Sequence, residues 1–525
     1  MAEGLLEVAG DLHNPPEELG KLVLTLFVVV AAAAAVICVL WWGKKKGRGL
    51  PPGPMGLPLL GSLPFLRPDL HCQFVELAAQ YGPVMSLRLG TKLCVVVSSP
   101  AGAKEMLRDR DAVFAFRDVP VSAAVITNGA QEIGWNNDPE SWRFLRKVTV
   151  RELLSSSSFD GFYALRKREV RRAVRELYER CGTVVTVGEA LFQTLLDLML
   201  SMLWGSTLEG EERTRVGREF REVVHKITEN LGVPNVSDFI PALAPLDLQR
   251  VARRMKKLAI WCDSILDRII DKRVNLGKGE GAGKTKDFLQ VLLDVVDKKE
   301  SELPLTIEHV KGVFLDIIVA ATDTTTGTME WAMAEMMEKP EVMRKVQEEL
   351  DAVVGKDAAV EESHLPRLPY LDAVVKETLR LHPALPLMVP HSPSEPSELG
   401  GFHIPVGSRV LINAWAIHRD PSIWEDPSEF KPERFLTGDA RWDYNGSSNG
   451  FRYIPFGSGR RSCVGILMAE RMSMFLLATL LHSYDWKLPA GDQIDLTESI
   501  GIVLKMAKPL TAIPSPRLSN LDLYS

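Results

Sequence analysis

Near the C-terminus the chain reads Phe456-Gly457-Ser458-Gly459-Arg460-Arg461-Ser462-Cys463-Val464-Gly465, and from Ile466 a strongly helical stretch follows. Physically this is a glycine-loosened loop that delivers one thiol to the start of a helix. Backbone N–H groups at a helix N-terminus stabilise a thiolate, as does the positive charge of Arg460 and Arg461. Taken alone the segment has two readings, a ligating thiolate or a buried structural cysteine in a turn, and most lone cysteines are inert. The other cysteines, at 38, 72, 94, 181 and 262, form no CxxC and no paired clusters, and read as free thiols of a reducing compartment.

Four further patterns stand upstream in order. Trp142 and Arg146 are four apart and so share a helical face. Residues 320–325 read AATDTT within a long apolar periodic segment, residues 377–380 read ETLR, and residues 432–435 read PERF. The spacing of Phe456, Gly459, Arg461, Cys463 and Gly465 resembles the haem-binding signature of cytochromes P450. The upstream patterns resemble that family's WxxxR helix, the oxygen-binding groove of its central helix, its ExxR motif and its PERF box. Together they span residues 142–465.

The resemblance implies a P450 fold, mainly α with small β-sheets, binding haem b. Cys463 is implied as the axial ligand of the haem iron, a thiolate that favours O–O cleavage, with Phe456, Gly459, Arg461 and Gly465 shaping its loop. Haem propionates are buried anions that need cationic or hydrogen-bonding partners. Trp142, Arg146, Arg461 and His391 are the candidates. His391 rests only on following Pro390 where the family usually has Arg or His, and a packing histidine remains the alternative. Asp323 and Thr324 are implied as the catalytic pair that delivers protons for O–O cleavage; a polar pair satisfying a helix groove is the other reading. Ala321 departs from the family pattern, which commonly has glycine there. Glu377, Arg380 and Arg434 are implied to form a buried ionic cluster that supports the haem loop, a structural role.

Outward from these motifs, the body from residue 62 to 525 is dominated by 3.6-residue apolar periodicity, with helices expected at 164–178, 253–272 and 311–337 and short strands at Val84–Leu89, 93–98 and 410–414. No period of 20 to 50 residues recurs, which excludes solenoids and propellers. Residues 275–285, NLGKGEGAGKT, look like a surface connection; a P-loop would need glycine where Lys278 stands. The composition, 46% hydrophobic and 25% charged with a net charge of -6, excludes disorder and disfavours nucleic-acid binding.

Residues 22–42 carry no charge, and as a helix they rise roughly 31 Å, enough to cross a bilayer core. A cleaved signal peptide is the alternative, but residues 1–21 precede it and hold five acids. Lys44, Lys45, Lys46 and Arg48 follow the stretch, so the positive-inside rule places the body in the cytosol and 1–21 across the membrane; the family resemblance implies the endoplasmic-reticulum membrane, which makes 1–21 lumenal. Residues 43–61, basic and then rich in Pro and Gly, form a stiff hinge.

No flavin or dinucleotide module is visible, so NADPH and flavins are expected to act through a separate NADPH–cytochrome P450 reductase. Residues 143–176 hold ten Lys/Arg against four Asp/Glu, a basic surface on which an acidic electron donor could dock, or else a helix laced by its own ion pairs. The hinge, the KETLRLHP run and the LHSYDWKLP ending resemble plant microsomal A-type P450s, nearest to terpenoid- and flavonoid-oxidising families. By analogy with the fold, Val121, Ile126, Ile317, Ala321, Leu387, Met388 and Ile502 are expected in an apolar substrate pocket. The leading expectation is a monooxygenase that hydroxylates a small lipophilic plant metabolite with O2, a sesquiterpenoid first. A flavonoid or phenylpropanoid hydroxylase, an oxygen-independent dehydratase or isomerase, and a non-catalytic haem-binding membrane protein are the alternatives.

Overall fold

The long periodic segments fold as helices because each buries one apolar face against the others. A computed structural model of the chain describes residues 25, 49–205, 207–208, 210–276, 287–298, 305–436 and 442–525. Apart from Thr25, the expected lumenal segment 1–21 and anchor 22–42 lie outside the described residues, as do 43–48 of the hinge and most of the Gly/Lys-rich stretch.

In chain order the elements used below are α1 (Leu70–Tyr81), β1 (Val84–Leu89), β2 (Lys92–Val97), β3 (Phe116–Arg117), α2 (Pro139–Thr149), α3 (Tyr163–Tyr178), α4 (Val187–Trp204), α5 (Gly210–Leu231) and α6 (Val251–Leu276). They continue with α7 (Ile307–Glu338), α8 (Pro340–Val353), α9 (Pro369–Leu381), β4 (His391–Ser392), β5 (Arg409–Ile412), α10 (Ile466–Ser483), β6 (Glu498–Ile500) and β7 (Leu504–Met506). The expected strand at 410–414 stops at Ile412, because the Asn413 side chain accepts the Ala416 N–H and caps a short helix that begins at Ala414.

A five-stranded sheet runs β1-β2-β5-β4-β3. β1 and β2 form a hairpin, closed by Gly90 in the left-handed region at φ 61°. At the far edge β3 pairs antiparallel with β4, which sets Arg117 directly opposite His391. Directly opposed residues share a sheet face, so this two-residue pairing puts two basic side chains side by side. α7 is the spine: 32 residues, about 48 Å of helix, opened by a capping box in which the Thr306 hydroxyl accepts from His309 N and His309 Nδ1 accepts from Thr306 N. Its burial on nearly every side comes from α4, α9 and α10 packing around it. α4 and α10 are apolar enough to cross a membrane, but most of each is buried in this core.

Candidate functional site

The cysteine loop is held open by backbone geometry. Gly457 and Gly459 both have φ 69°, a region that L side chains rarely adopt. At Gly459 a Cβ would stand 2.3 Å from the Leu107 carbonyl oxygen and 2.6 Å from Asp111 Oδ1, so only glycine fits. Cys463 N donates to the Phe456 carbonyl at 3.0 Å, and Gly465 N donates to the Cys463 sulfur at 3.3 Å, immediately before α10. The sulfur is enclosed by the protein, yet its exposed surface faces a cavity. Burial pushes the thiol up, opposed by the Gly465 N–H and the Arg146 charge.

α2 lies against this loop. Asp138 caps it, accepting from Glu140 N and Ser141 N, with Pro139 in the first turn. Arg146 then reaches the Ser462 carbonyl at 2.8 Å and its hydroxyl at 3.2 Å. Arg461 donates to the carbonyls of Ala115, Ile133 and Asn136, and its guanidinium lies 4.4 Å over the Trp142 ring. His391 Nδ1–H donates to the Phe114 carbonyl at 2.7 Å; burial, with Arg117 nearby, holds the ring well below its ordinary range and so neutral. Trp142, Arg146, His391, Phe456, Arg461, Cys463 and Gly465 all line the one cavity; Gly459 does not, because it packs against Leu107 and Asp111 instead.

One basic residue escaped the sequence reading. Arg117 also lines the cavity, donates to the Val389 carbonyl at 2.9 Å, and has its Nε buried with no hydrogen-bond partner among the described residues. Burial, with Arg461 and Arg146 beside it, lowers it to about 9; burial lowers Arg461 to about 10, and Arg146 falls for the same reason. Three guanidiniums served mainly by neutral carbonyls, one with an orphaned N–H, are short of anionic partners. A thiol aimed into the same cavity completes a donor set that fits the iron and the two propionates of a haem. The only hint of Arg117 in sequence was a charge in an otherwise apolar FAFR run, and a two-residue strand leaves no periodicity to read.

α7 forms the opposite wall. Asp316, Ala320, Thr324 and Thr328 stand at four-residue steps, and together with Ile317, Ala321 and Thr325 they face the cavity. Thr324 Oγ1 donates to the Ala320 carbonyl at 2.5 Å. Asp323 does not reach the cavity: its Oδ1 accepts from Lys505 Nζ on β7 at 3.1 Å, and its Oδ2 is buried with no partner among the described residues. Of the expected substrate-pocket residues, Ile317, Ala321 and Met388 line the cavity; Val121, Ile126, Leu387 and Ile502 do not. Ile126 is in the main helical core, and Leu387 packs against the β1–β2 cluster. Val121 binds Asp238 through its N–H, and the Ile502 turn lies against Gly232 at the end of α5. An apolar side chain facing core and one facing a cavity have the same sequence signature.

Behind the loop, Glu377 accepts from Arg380 at 2.7 and 2.8 Å, from Arg434 at 2.9 Å and from Lys431 N at 2.8 Å, with Glu377 and Arg380 fully buried. The basic stretch 143–176 divides. On α3, Arg166 pairs with Glu362, Lys167 with Glu361, and Arg172 with Glu169 and Asp197, which uses most of its excess. Arg143, Lys147 and Arg151 remain exposed on or just after the helix that touches the cysteine loop.

Comparison with known proteins agrees with this geometry. The profile of the family "Cytochrome P450" matches residues 51–512. The chain is 39% identical over 479 residues to a flavonoid 3'-monooxygenase of Crocosmia x crocosmiiflora, covering 90% of this chain and 93% of that protein. It is 40% identical to a carnosic acid synthase of Rosmarinus officinalis (89% and 93% covered) and 38% identical to a geraniol 8-hydroxylase of Swertia mussotii (90% and 94%). A solved zebra fish cytochrome P450 structure with progesterone superposes with a TM-score of 0.71 at 27% identity, over 86% of this chain and 100% of that one.

Proposed function

The chain belongs to the cytochrome P450 family and is a haem b monooxygenase drawing electrons from a redox partner, and on that premise we propose that it hydroxylates a small lipophilic plant metabolite, a terpenoid or a flavonoid. The observation that carries this reading is a single apolar cavity with the Cys463 thiol on one wall and the Thr324 hydroxyl on the other. Ile133, Leu195, Met199, Ile317, Ala320, Ala321, Leu385 and Met388 supply its apolar lining, which suits a hydrocarbon or lightly oxygenated ring system. A terpenoid and a flavonoid substrate stand equally here, since relatives carrying names of both kinds match to the same degree, while nothing favours a sesquiterpenoid among the terpenoids.

Bound between these walls, haem b supplies the reductive activation of O2, one atom going to substrate and the other to water. The chain's residues do the rest. Cys463 would ligate the haem iron as a thiolate, and the Gly465 N–H, already on its sulfur, would stabilise that charge. Arg117, Arg146, Arg461 and Trp142 would bind and orient the propionates, and His391, whose Nδ1–H is used on the Phe114 carbonyl, would donate from Nε2 only as the protonated ring. Thr324 holds a proton at Oγ1 on the cavity wall. Asp323, tied to the half-exposed Lys505, is the residue before Thr324, and its Oδ2, without a partner among the described residues, would relay protons from the solvent side toward that hydroxyl. The apolar part of the lining keeps bulk water from the reacting centre.

The redox partner is read as an NADPH–cytochrome P450 reductase that docks on Arg143, Lys147 and Arg151. The protein is read as anchored by 22–42 to the endoplasmic-reticulum membrane with its body cytosolic. The exposed side chains of Met55, Leu57, Leu59 and Leu60 in the hinge and of Phe65 just after it favour a surface resting on lipid. The test is a microsomal incubation with a plant reductase and NADPH, feeding sesquiterpenoid and flavonoid panels. An NADPH-dependent product heavier by one oxygen is expected from one panel; no oxygenated product from either would refute the reading.

A further inference from the structure

Away from the haem cavity, three metal-ligating side chains from distant parts of the chain meet. His71 and Cys72 stand in the first turn of α1 and Glu498 opens β6; a ring nitrogen of His71, the Cys72 sulfur and a Glu498 carboxylate oxygen all lie within 4.8 Å of one another. Donor atoms held by one cation at about 2.0–2.3 Å stand at most about 4.6 Å apart, so small adjustments let these three share one. The carboxylate is already oriented. Its Oε2 accepts from His71 Nε2 at 2.8 Å and Trp415 Nε1 at 3.1 Å, while Oε1 is taken up by His382 Nδ1 at 3.2 Å and Arg419 Nη2 at 3.3 Å. His382 reaches Glu335, near the end of α7, with its other nitrogen at 2.8 Å and lies flat against the Trp331 ring, 3.9 Å away. Outer partners of this kind aim a ligand and hold it in place. His71 is buried, and its Nδ1 has no hydrogen-bond partner among the described residues, so half of the ring's capacity is unused. Cys72 is partly exposed and opens a path from solvent. None of these side chains lines the haem cavity.

The surroundings favour a positive charge at this point. Burial disfavours a charged His71 ring, yet Cys72 and Glu498 beside it outweigh burial and raise it from 6.5 to about 9, so near neutral pH the ring carries an extra proton. Burial pushes Glu498 up, but His382, His71 and Arg419 hold it far below the carboxylate range. Asp69, at the cap of α1, adds a further negative charge near the ring. Arg419 is the opposing cation, and it sits on the far oxygen, Oε1. A divalent cation can replace the imidazolium proton: the ring gives up one proton and the thiol another, both pass to water, and the freed nitrogen and sulfur lone pairs form the bonds to the metal.

We propose that His71, Cys72 and Glu498 form a second metal site, separate from the haem, that takes zinc and ties α1 to the β6–β7 hairpin. A thiolate with an imidazole selects a borderline-soft cation such as zinc over magnesium or calcium, which take oxygen donors. Water completes the tetrahedral set. The site is independent of which substrate is oxidised.

The test uses holoprotein without a polyhistidine tag, stripped with EDTA and dialysed against zinc chloride, with bound metal counted by mass spectrometry. Wild type is compared with Cys72→Ser, Glu498→Gln and Cys181→Ser, the last a partly exposed thiol elsewhere on the surface. Wild type and Cys181→Ser are expected to hold one zinc per chain, and Cys72→Ser to bind at least about tenfold more weakly. Wild-type binding should tighten at least about tenfold from pH 6.5 to 7.5, because each zinc displaces one proton or more. Cadmium should add an ultraviolet sulfur-to-metal absorption to wild type and none to Cys72→Ser, while the reduced carbon monoxide spectrum shows that Cys463 keeps its haem throughout. Should Glu498→Gln fail to fold, Cys72→Ser and the wild-type pH dependence decide, since Cys72 is partly exposed and serine keeps its size. Wild type without stoichiometric zinc, equal binding by Cys72→Ser, or displacement of zinc by an equal concentration of magnesium would each overturn the site.

Discussion

Removing the Glu377 carboxylate should abolish haem-loaded protein although Glu377 touches neither haem nor substrate. Glu377→Ala takes away four hydrogen bonds at once: two from Arg380, one from Arg434 and one from the Lys431 N–H. Arg380 keeps its donations to the carbonyls of His418, Pro427 and Glu429, but these are neutral, and its side chain has no access to water. Stranding one buried charge costs about 3–5 kcal/mol. Arg434, at 12% side-chain exposure, relaxes toward solvent and adds less. Against a total stability of about 5–15 kcal/mol, a loss of this size removes about a fifth of the margin or more. It is felt at the cysteine loop because Phe435 of the PERF turn packs with Trp424, Trp442 and Tyr453, and Tyr453 lies three residues before Phe456. The assay is haem content by the reduced carbon monoxide spectrum together with thermal unfolding, for Glu377→Ala and Glu377→Gln. Both should lose most of the haem-loaded fraction, the alanine variant more. A Glu377→Ala protein with full haem content and an unchanged Tm would refute the reasoning.

Gly459→Ala places a methyl 2.3 Å from a backbone oxygen at positive φ, so haem incorporation should fail in expression, whereas Gly161→Ala, with nothing within 4 Å, should be silent by the same spectrum. Arg117→Met removes a charge-assisted partner of a propionate, and transfer of haem to apomyoglobin should quicken by roughly 10- to 100-fold, from about 1.5–3 kcal/mol. Thr324→Ala should leave haem content unchanged but divert NADPH consumption from product to peroxide, measured as the coupling ratio. Stability should also fall toward alkaline pH. His71, buried and paired with Glu498 at 2.8 Å, is raised from 6.5 to about 9, so its contribution is complete below about 6.5 and lost as pH rises through 9; Glu498, depressed by His382 and His71 against burial, loses its share only as pH falls through the acid range. Urea unfolding of His71→Gln should accordingly lack the decline of about 2–3 kcal/mol between pH 6.5 and 9 that wild type shows.

What the sequence revealed depended on how local the signal was. The segments expected as helices at 164–178, 253–272 and 311–337 appear as α3, α6 and α7 within a few residues, because apolar periodicity over four or more turns is unambiguous. Val84–Leu89 is β1 as expected. The cysteine loop, Trp142, Arg146 and the Glu377–Arg380–Arg434 cluster were readable as spacings. Arg117 was not, since its role comes from pairing with His391 across 274 positions of chain. Glu498 reads as one more acid in a polar stretch, and only the fold sets His71 and Cys72 beside it. Four of the seven expected pocket residues face core or loop rather than the cavity, which no pattern of apolar residues could have decided.

The most direct test of the central claim is the reduced carbon monoxide spectrum of holoprotein, wild type beside Cys463→Ser. The account predicts a strongly red-shifted Soret band in wild type and none in the variant. The same red-shifted band from Cys463→Ser would mean that the thiolate lies elsewhere, and the site built around this loop would fall with it.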